Sequence, residues 1–242
     1  MNQPMADTVT QVSILNALLA SQFDGCLPCR ELLKYGDLGI GTFDQMEGEM
    51  VMVDGTIYQV KADGRVYTPD LDNRTPFATV CRFHPEETWT LSGPVDLAAL
   101  EKAIDEKAAN ANVFCAVRVE GSFSFMRTHA LQMQSKPYPP TAEVVRACVV
   151  FEMNNVSGTI VGFRGPPYVR GINDTGYHLH FLSDDKTRGG HIRDFVMDRG
   201  TCAINICGNH VVILPDDGAT LAGIDMSRDL VGEFHEALHR GE

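Results

Sequence analysis

With 242 residues and 44% hydrophobic content, the chain can bury a real core and is long enough for one large domain or two small ones. A formal charge of −12 with no Lys/Arg cluster excludes a non-specific nucleic-acid binder, and an anionic substrate would need a local cation to overcome the global field. The longest apolar runs, such as Ala147 to Phe151, are strand-sized, far below the ~20 residues of a membrane span.

Taken in chain order, Val9, Val12, Leu15, Leu18 and Leu19 fall at helical spacing and predict an opening amphipathic helix over 9–22. A second short helix is expected through Glu31 to Lys34, ending before Gly36. Asp54-Gly55, between Met50–Val53 and Thr56–Val60, predicts a hairpin, and Asp63-Gly64 a turn just downstream. Leu97, Leu100, Ala103, Ile104 and Ala108 recur at helical intervals with charged residues on the other face, so 94–110 is read as a third helix. Val113–Val119 and Ser122–Leu131 then read as two strands joined near Glu120-Gly121.

Lys136-Pro137-Tyr138-Pro139-Pro140 is a stiff, extended break and predicts a boundary between residues 1–140 and 141–242. Six short strands follow: 148–153, 158–163, 177–182, 192–197, 202–207 and 210–214, with a last helix over Leu230–His239. The fold class is α/β in the α+β sense. An N-terminal mixed sheet with helices is followed by an antiparallel, barrel-like β subdomain. The first ten residues show no leader pattern, and seven scattered cysteines, several inside strand-like runs, suit buried thiols rather than a disulfide framework. A reduced, cytoplasmic protein is expected.

The most informative segment runs from Gly176 to His191. His178 and His180 are two apart on a strand, so both imidazoles project from one face while Leu179 points away. Asp184 to Gly190 forms a turn, and His191 opens the return strand opposite the pair. Three neutral imidazoles converging on one point leave a coordination position open, the pattern of a catalytic zinc site. Imidazole also suits Fe, Ni, Cu or Mn, so zinc is a preference. His84, His210, His235 and His239 have no convergent spacing, and Cys26-Leu-Pro-Cys29 lacks the second pair that a zinc ribbon needs.

With those residues in hand, the sequence resembles the α-acetolactate decarboxylases. The matching stretches include Leu32-Leu-Lys-Tyr-Gly-Asp-Leu-Gly-Ile-Gly-Thr-Phe43, Gly48-Glu49, Thr75-Pro-Phe77, Val161-Gly-Phe-Arg164, Gly171-Ile-Asn173 and the histidine hairpin itself. The resemblance implies a two-part architecture, a homodimer, a small anionic substrate, and zinc held by His178, His180 and His191. It implies decarboxylation of 2-acetolactate to acetoin and CO2, the metal chelating the ketone and hydroxyl oxygens and stabilising the enediolate. Glu49 and Thr42 match the family's Gly-Glu and Gly-Thr-Phe motifs, and Glu242, or else Glu236, matches its C-terminal glutamate.

The family's arginine has two candidates. Counting back from Lys136-Pro137-Tyr138 without gaps puts His129 in its position, whereas keeping Arg-Thr together selects Arg127 with a two-residue insertion. Arg127 is the expected catalytic cation and His129 a substrate-binding neighbour. Other readings that the residues leave open are an enzyme for another 2-hydroxy-3-oxo acid, a cupin-like metal dioxygenase, whose pattern wants a glutamate where Asp184 and Asp185 stand, and a metal-binding module without turnover.

Overall fold

The computed structural model describes residues 7–215 and 218–239. In chain order the strands are β1 (Thr8–Val12), β2 (Leu27–Pro28), β3 (Leu38–Thr42), β4 (Glu49–Val53), β5 (Thr56–Val60), β6 (Val66–Tyr67) and β7 (Arg74–Thr75). They continue with β8 (Ala78–Cys81), β9 (Glu87–Asp96), β10 (Phe114–Ala130), β11 (Val149–Gly165), β12 (Gly176–Ser183), β13 (Gly189–Cys207) and β14 (Asn209–Ile213). The helices are α1 (Leu15–Leu19), α2 (Cys29–Leu32), α3 (Leu97–Lys107), α4 (Thr141–Arg146), α5 (Gly218–Ala222) and α6 (Leu230–His239). The fold is therefore mixed α/β and mostly strand.

Two large sheets carry it. The first runs β14-β1-β8-β3-β4-β5-β6, and the second β10-β11-β12-β13-β9. The sheets draw strands from both sides of Pro140: β9 and β10 lie in the second, and β14 returns to pair with β1 in the first. The barrel expected of the C-terminal half does not form. β13 pairs with β10 as well as β12, which folds the second sheet back on itself, but β9 remains as an edge strand.

Three corrections have clear causes. Residues 8–12 form a strand and only Leu15–Leu19 turn helical, because β1 lies between β14 and β8 and is covered on both faces. A strand buried on both faces loses the alternation that marks a strand, and its Val9/Val12 spacing then imitates a helix. The turn expected at Glu120-Gly121 is absent: β10 runs through it unbroken, and β11 and β13 likewise each absorb two expected strands. Gly121 marks close approach instead, since a Cβ there would lie 2.6 Å from the carbonyl oxygen of Arg199 on β13.

The Asp54-Gly55 hairpin joins β4 to β5 as expected, and α3 falls within 94–110, with the Asp96 carboxylate accepting from the Ala99 N–H at 2.8 Å as its N-cap. Leu100 and Ile104 of α3 pack on the second sheet among Phe123, Phe181 and Phe195, whose rings meet edge to face. A separate core layer lies between the sheets, where Val9, Ile40 and Val51 of the first meet Val161, Phe163 and Leu182 of the second. Burial pushes the Cys29 and Cys115 thiols up to about 12, in keeping with their apolar surroundings. Among the described residues no helix is long and apolar enough to cross a membrane.

Candidate active site

The histidine hairpin lies at the seam of the two sheets. His180 on β12 stands opposite His191 on β13, and His191 stands opposite His129 on β10, so one register line crosses three strands. Asp185 closes the turn between β12 and β13 by accepting from the Ser183 and Thr187 hydroxyls at 2.7 and 2.8 Å. Gly190 allows the return: at φ 128° its missing Cβ would lie 2.5 Å from the His129 carbonyl oxygen. One ring nitrogen from each of His178, His180 and His191 then lies within 4.8 Å of the others, the only such group of metal-ligating side chains among the described residues.

The hydrogen bonds fix which nitrogens converge. His180 Nδ1 faces the Met50 carbonyl oxygen at 2.8 Å, so it is the protonated nitrogen and donates. His178 Nδ1 stands 2.6 Å from the Asp174 carboxylate and donates likewise. In the neutral rings both lone pairs are consequently on Nε2, and these two atoms face each other at 3.1 Å. Two lone pairs at that distance repel unless a cation, a proton or a metal ion, lies between them. Two ligands about 2.05 Å from a tetrahedral zinc would stand roughly 3.3 Å apart, so the spacing fits a bound metal closely.

Burial lowers the pKa of His180 and His191 well below the ordinary value, with the nearby His178 adding to the effect. That favours neutral, ligating imidazoles. Burial opposes protonation of His178 too, but the Asp174 carboxylate outweighs it and raises that ring.

Carboxylate and hydroxyl groups come from the opposite sheet. Glu49 opens β4 directly across from Thr42 at the end of β3. Both are buried, and Thr42 donates to the Gly48 carbonyl at 2.7 Å. Glu49 accepts from the Leu131 N–H at 3.1 Å, and its second oxygen is 3.7 Å from His180 Nε2. Burial pushes the Glu49 carboxyl up to about 7, against the opposing influence of His178 and the Leu131 N–H.

A cavity of about 260 Å³ joins Thr42, Glu49, His129, Asp174, His178 and His191. Apart from Thr141 its remaining wall is apolar, with Leu15 and Leu18 from α1, Phe77, Leu131, and Phe234 and Leu238 from α6. A larger groove of about 490 Å³ between α4 and α6 contains none of the histidines.

The two candidates for the cation part company. Arg127 does not line the cavity; it is half-exposed and pairs with Asp194 on β13 at 3.3 Å. His129 lines it instead, with its ring 4.5 Å from that of His191. The reason is a bulge. Thr128 pairs with Ile192 and Arg127 with Asp194, so Arg193 is an extra, unpaired residue that shifts the register. Arg193 donates from Nε to His129 Nδ1 at 3.2 Å and from a terminal nitrogen to Cys148 Sγ at 3.0 Å. Burial, together with Arg193 and His178, lowers His129 to about 4.

Glu242 lies outside the described residues, and Glu236 is exposed on α6. Asp185 is tied into its own turn, away from the triad, and Asp184 lies in that same turn, so neither joins the triad as the carboxylate of a cupin-like site. Sequence reasoning missed Asp174 and Arg193. Both were within reach of it: Asp174 lies four residues before His178, and Arg193 shares the strand of His191 two residues on.

Residues 9–226 match the alpha-acetolactate decarboxylase family. The chain belongs to that family. Among its relatives, the alpha-acetolactate decarboxylase of Methanosarcina mazei is 44% identical over 213 residues, which cover 88% of this chain and 74% of that protein. That of Bacillus subtilis is 35% identical over 233 residues, covering 95% and 91%. The crystal structure of the Bacillus subtilis protein superposes with a TM-score of 0.91 at 33% identity, covering 96% of this chain and 98% of that one. The family resemblance read from the Gly-Thr-Phe, Gly-Glu and His-x-His motifs is thereby borne out.

Proposed function

We propose that this chain is a carbon–carbon lyase that decarboxylates 2-acetolactate to acetoin and CO2, with a divalent metal, zinc by preference, held by His178, His180 and His191. The observation that carries the metal is the pair of Nε2 atoms of His178 and His180 facing each other at 3.1 Å beside the cavity that His178 and His191 line. We read the protein further as a cytoplasmic homodimer, which gel filtration of the native protein against its 26.6 kDa chain mass tests directly.

The carboxylate of acetolactate is β to a ketone, so loss of CO2 leaves an electron pair that flows onto the ketone oxygen, and one proton added at carbon completes acetoin. A bound metal supplies a Lewis acid where that oxygen gains charge. Glu49, buried and within reach of the triad, suits a group that holds the proton of the substrate hydroxyl. His129 offers a ring nitrogen to an anionic oxygen, and Thr42 shapes the floor beside Glu49. The leucines and phenylalanines of α1 and α6 exclude water, which strengthens each of these contacts.

Acetoin formation from racemic acetolactate, lost on chelation and restored by zinc, is the expected result. A protein that turns acetolactate over equally well with chelator present would sink the metal reading. Replacement of the expected arginine by His129 favours one second reading, turnover of another 2-hydroxy-3-oxo acid, and a parallel assay with a bulkier 2-alkyl analogue separates the two. Within the site, Arg127→Ala should change kcat/KM by less than about threefold, because it removes an exposed ion pair. His129→Ala should lower it by roughly a hundredfold, by deleting a group from the cavity wall. The opposite ranking would restore Arg127 as the working cation.

A further inference from the structure

We propose that Arg193 is a positioning residue that locks His129 into its Nε2–H tautomer, making His129 a neutral hydrogen-bond donor to the anionic oxygens of the substrate. The inference rests on the decarboxylase reading for its substrate, but its structural basis is independent of it. A guanidinium can only donate. With Arg193 Nε 3.2 Å from His129 Nδ1, that nitrogen carries the lone pair, and the ring proton is on Nε2. Nε2 has no hydrogen-bond partner among the described residues, and His129 lines the cavity, so the free donor of this ring is available to a molecule bound there.

The bulge in β13 is what brings the two side chains together. Without the extra residue, Arg193 would take the place opposite Arg127, and two cations would face each other across the ladder. With it, Asp194 neutralises Arg127 and the Arg193 side chain swings over His129. Cys148 Sγ, 3.0 Å from a terminal nitrogen of the same guanidinium, holds it from the far side. The positive charge is thus held one side chain behind the cavity wall, and an N–H rather than a cation meets the substrate.

Decarboxylation gives this arrangement a purpose. The departing carboxylate loses its charge as the bond breaks. A cation in direct contact would forfeit more binding as that charge is lost than a neutral donor does. A neutral donor orients the group while binding it less tightly.

The test combines ¹⁵N spectra of the histidine rings with a double-mutant cycle. In the native protein as isolated, the His129 signals, assigned by their loss in His129→Gln, should report an unprotonated Nδ1 and a protonated Nε2. Arg193→Gln should mix the tautomers and lower kcat/KM by roughly tenfold to a hundredfold. His129→Gln supplies an amide N–H near the place of Nε2 that no tautomer controls. In that background Arg193→Gln should cost less than about twofold further.

Arg193→Gln acting by the same factor in both backgrounds would overturn the proposal, as would a native ring protonated at Nδ1. A native protein inert towards acetolactate would overturn the decarboxylase reading alone, and the ¹⁵N spectrum would then decide the Arg193–His129 pairing.

Discussion

Replacing His191 with alanine should abolish metal binding and lower turnover by at least about a thousandfold, with the fold intact. The magnitude follows from the several kcal/mol that a Lewis acid contributes where charge develops. His191 is the ligand to remove because its loss orphans the least. His180 Nδ1 donates to the Met50 carbonyl and ties the two sheets together, and His178 neutralises Asp174, so either substitution would leave a buried or half-buried polar group unpartnered. His191 contributes ring contacts with His129, His178 and His180. Metal analysis should fall from about one ion per chain in the native protein to near zero in His191→Ala, with an unchanged far-ultraviolet dichroism spectrum. Added zinc should raise the native melting temperature and leave that of the variant unmoved, since only a state that binds the ion is stabilised by it. Full metal content in the variant would remove His191 from the ligand set.

The convergence of the three histidines was legible in the sequence because its geometry is local. His178-Leu179-His180 needs only the strand period of two to aim both rings one way, and the turn ending at Gly190 needs only to bring His191 back across. The Asp54-Gly55 hairpin and helix α3 were legible for the same reason. What failed depended on partners distant in sequence. β1 is a strand because β14, some two hundred residues later, pairs with one of its edges and β8 with the other; nothing within residues 8–12 announces that. Gly121 reads as a turn until β13 is known to cross it. That His129 rather than Arg127 lines the cavity hinges on one unpaired residue in another strand, and a bulge leaves no periodic trace in the strand it redirects. The ungapped spacing from His129 to Lys136-Pro137, which Arg127 matches only with a two-residue insertion, was the hint available from the chain itself.

Glu49→Gln should make the metal-free protein more stable above neutral pH while lowering its activity by about a hundredfold to ten-thousandfold with metal retained. The two effects share a cause. Burial pushes the Glu49 carboxyl up to about 7, well above the ~4.3 of an unfolded chain. Below the unfolded value both states are protonated and the residue is neutral to stability. Between that value and about 7 the unfolded chain releases a proton that the folded chain keeps, so stability falls as pH rises. Above about 7 the penalty is complete, on the order of a few kcal/mol.

Glutamine keeps an acceptor for the Leu131 N–H and has no charge to bury, so its melting temperature should stay flat where the native protein declines. A bound cation compensates the Glu49 charge, and zinc should therefore shrink the gap between the two proteins. Melting curves at pH 5 and pH 8, with chelator and with zinc, measure all of this. Equal pH dependence for both metal-free proteins would mean that Glu49 is not held protonated by burial, and undiminished turnover in Glu49→Gln would remove it from the proton's path.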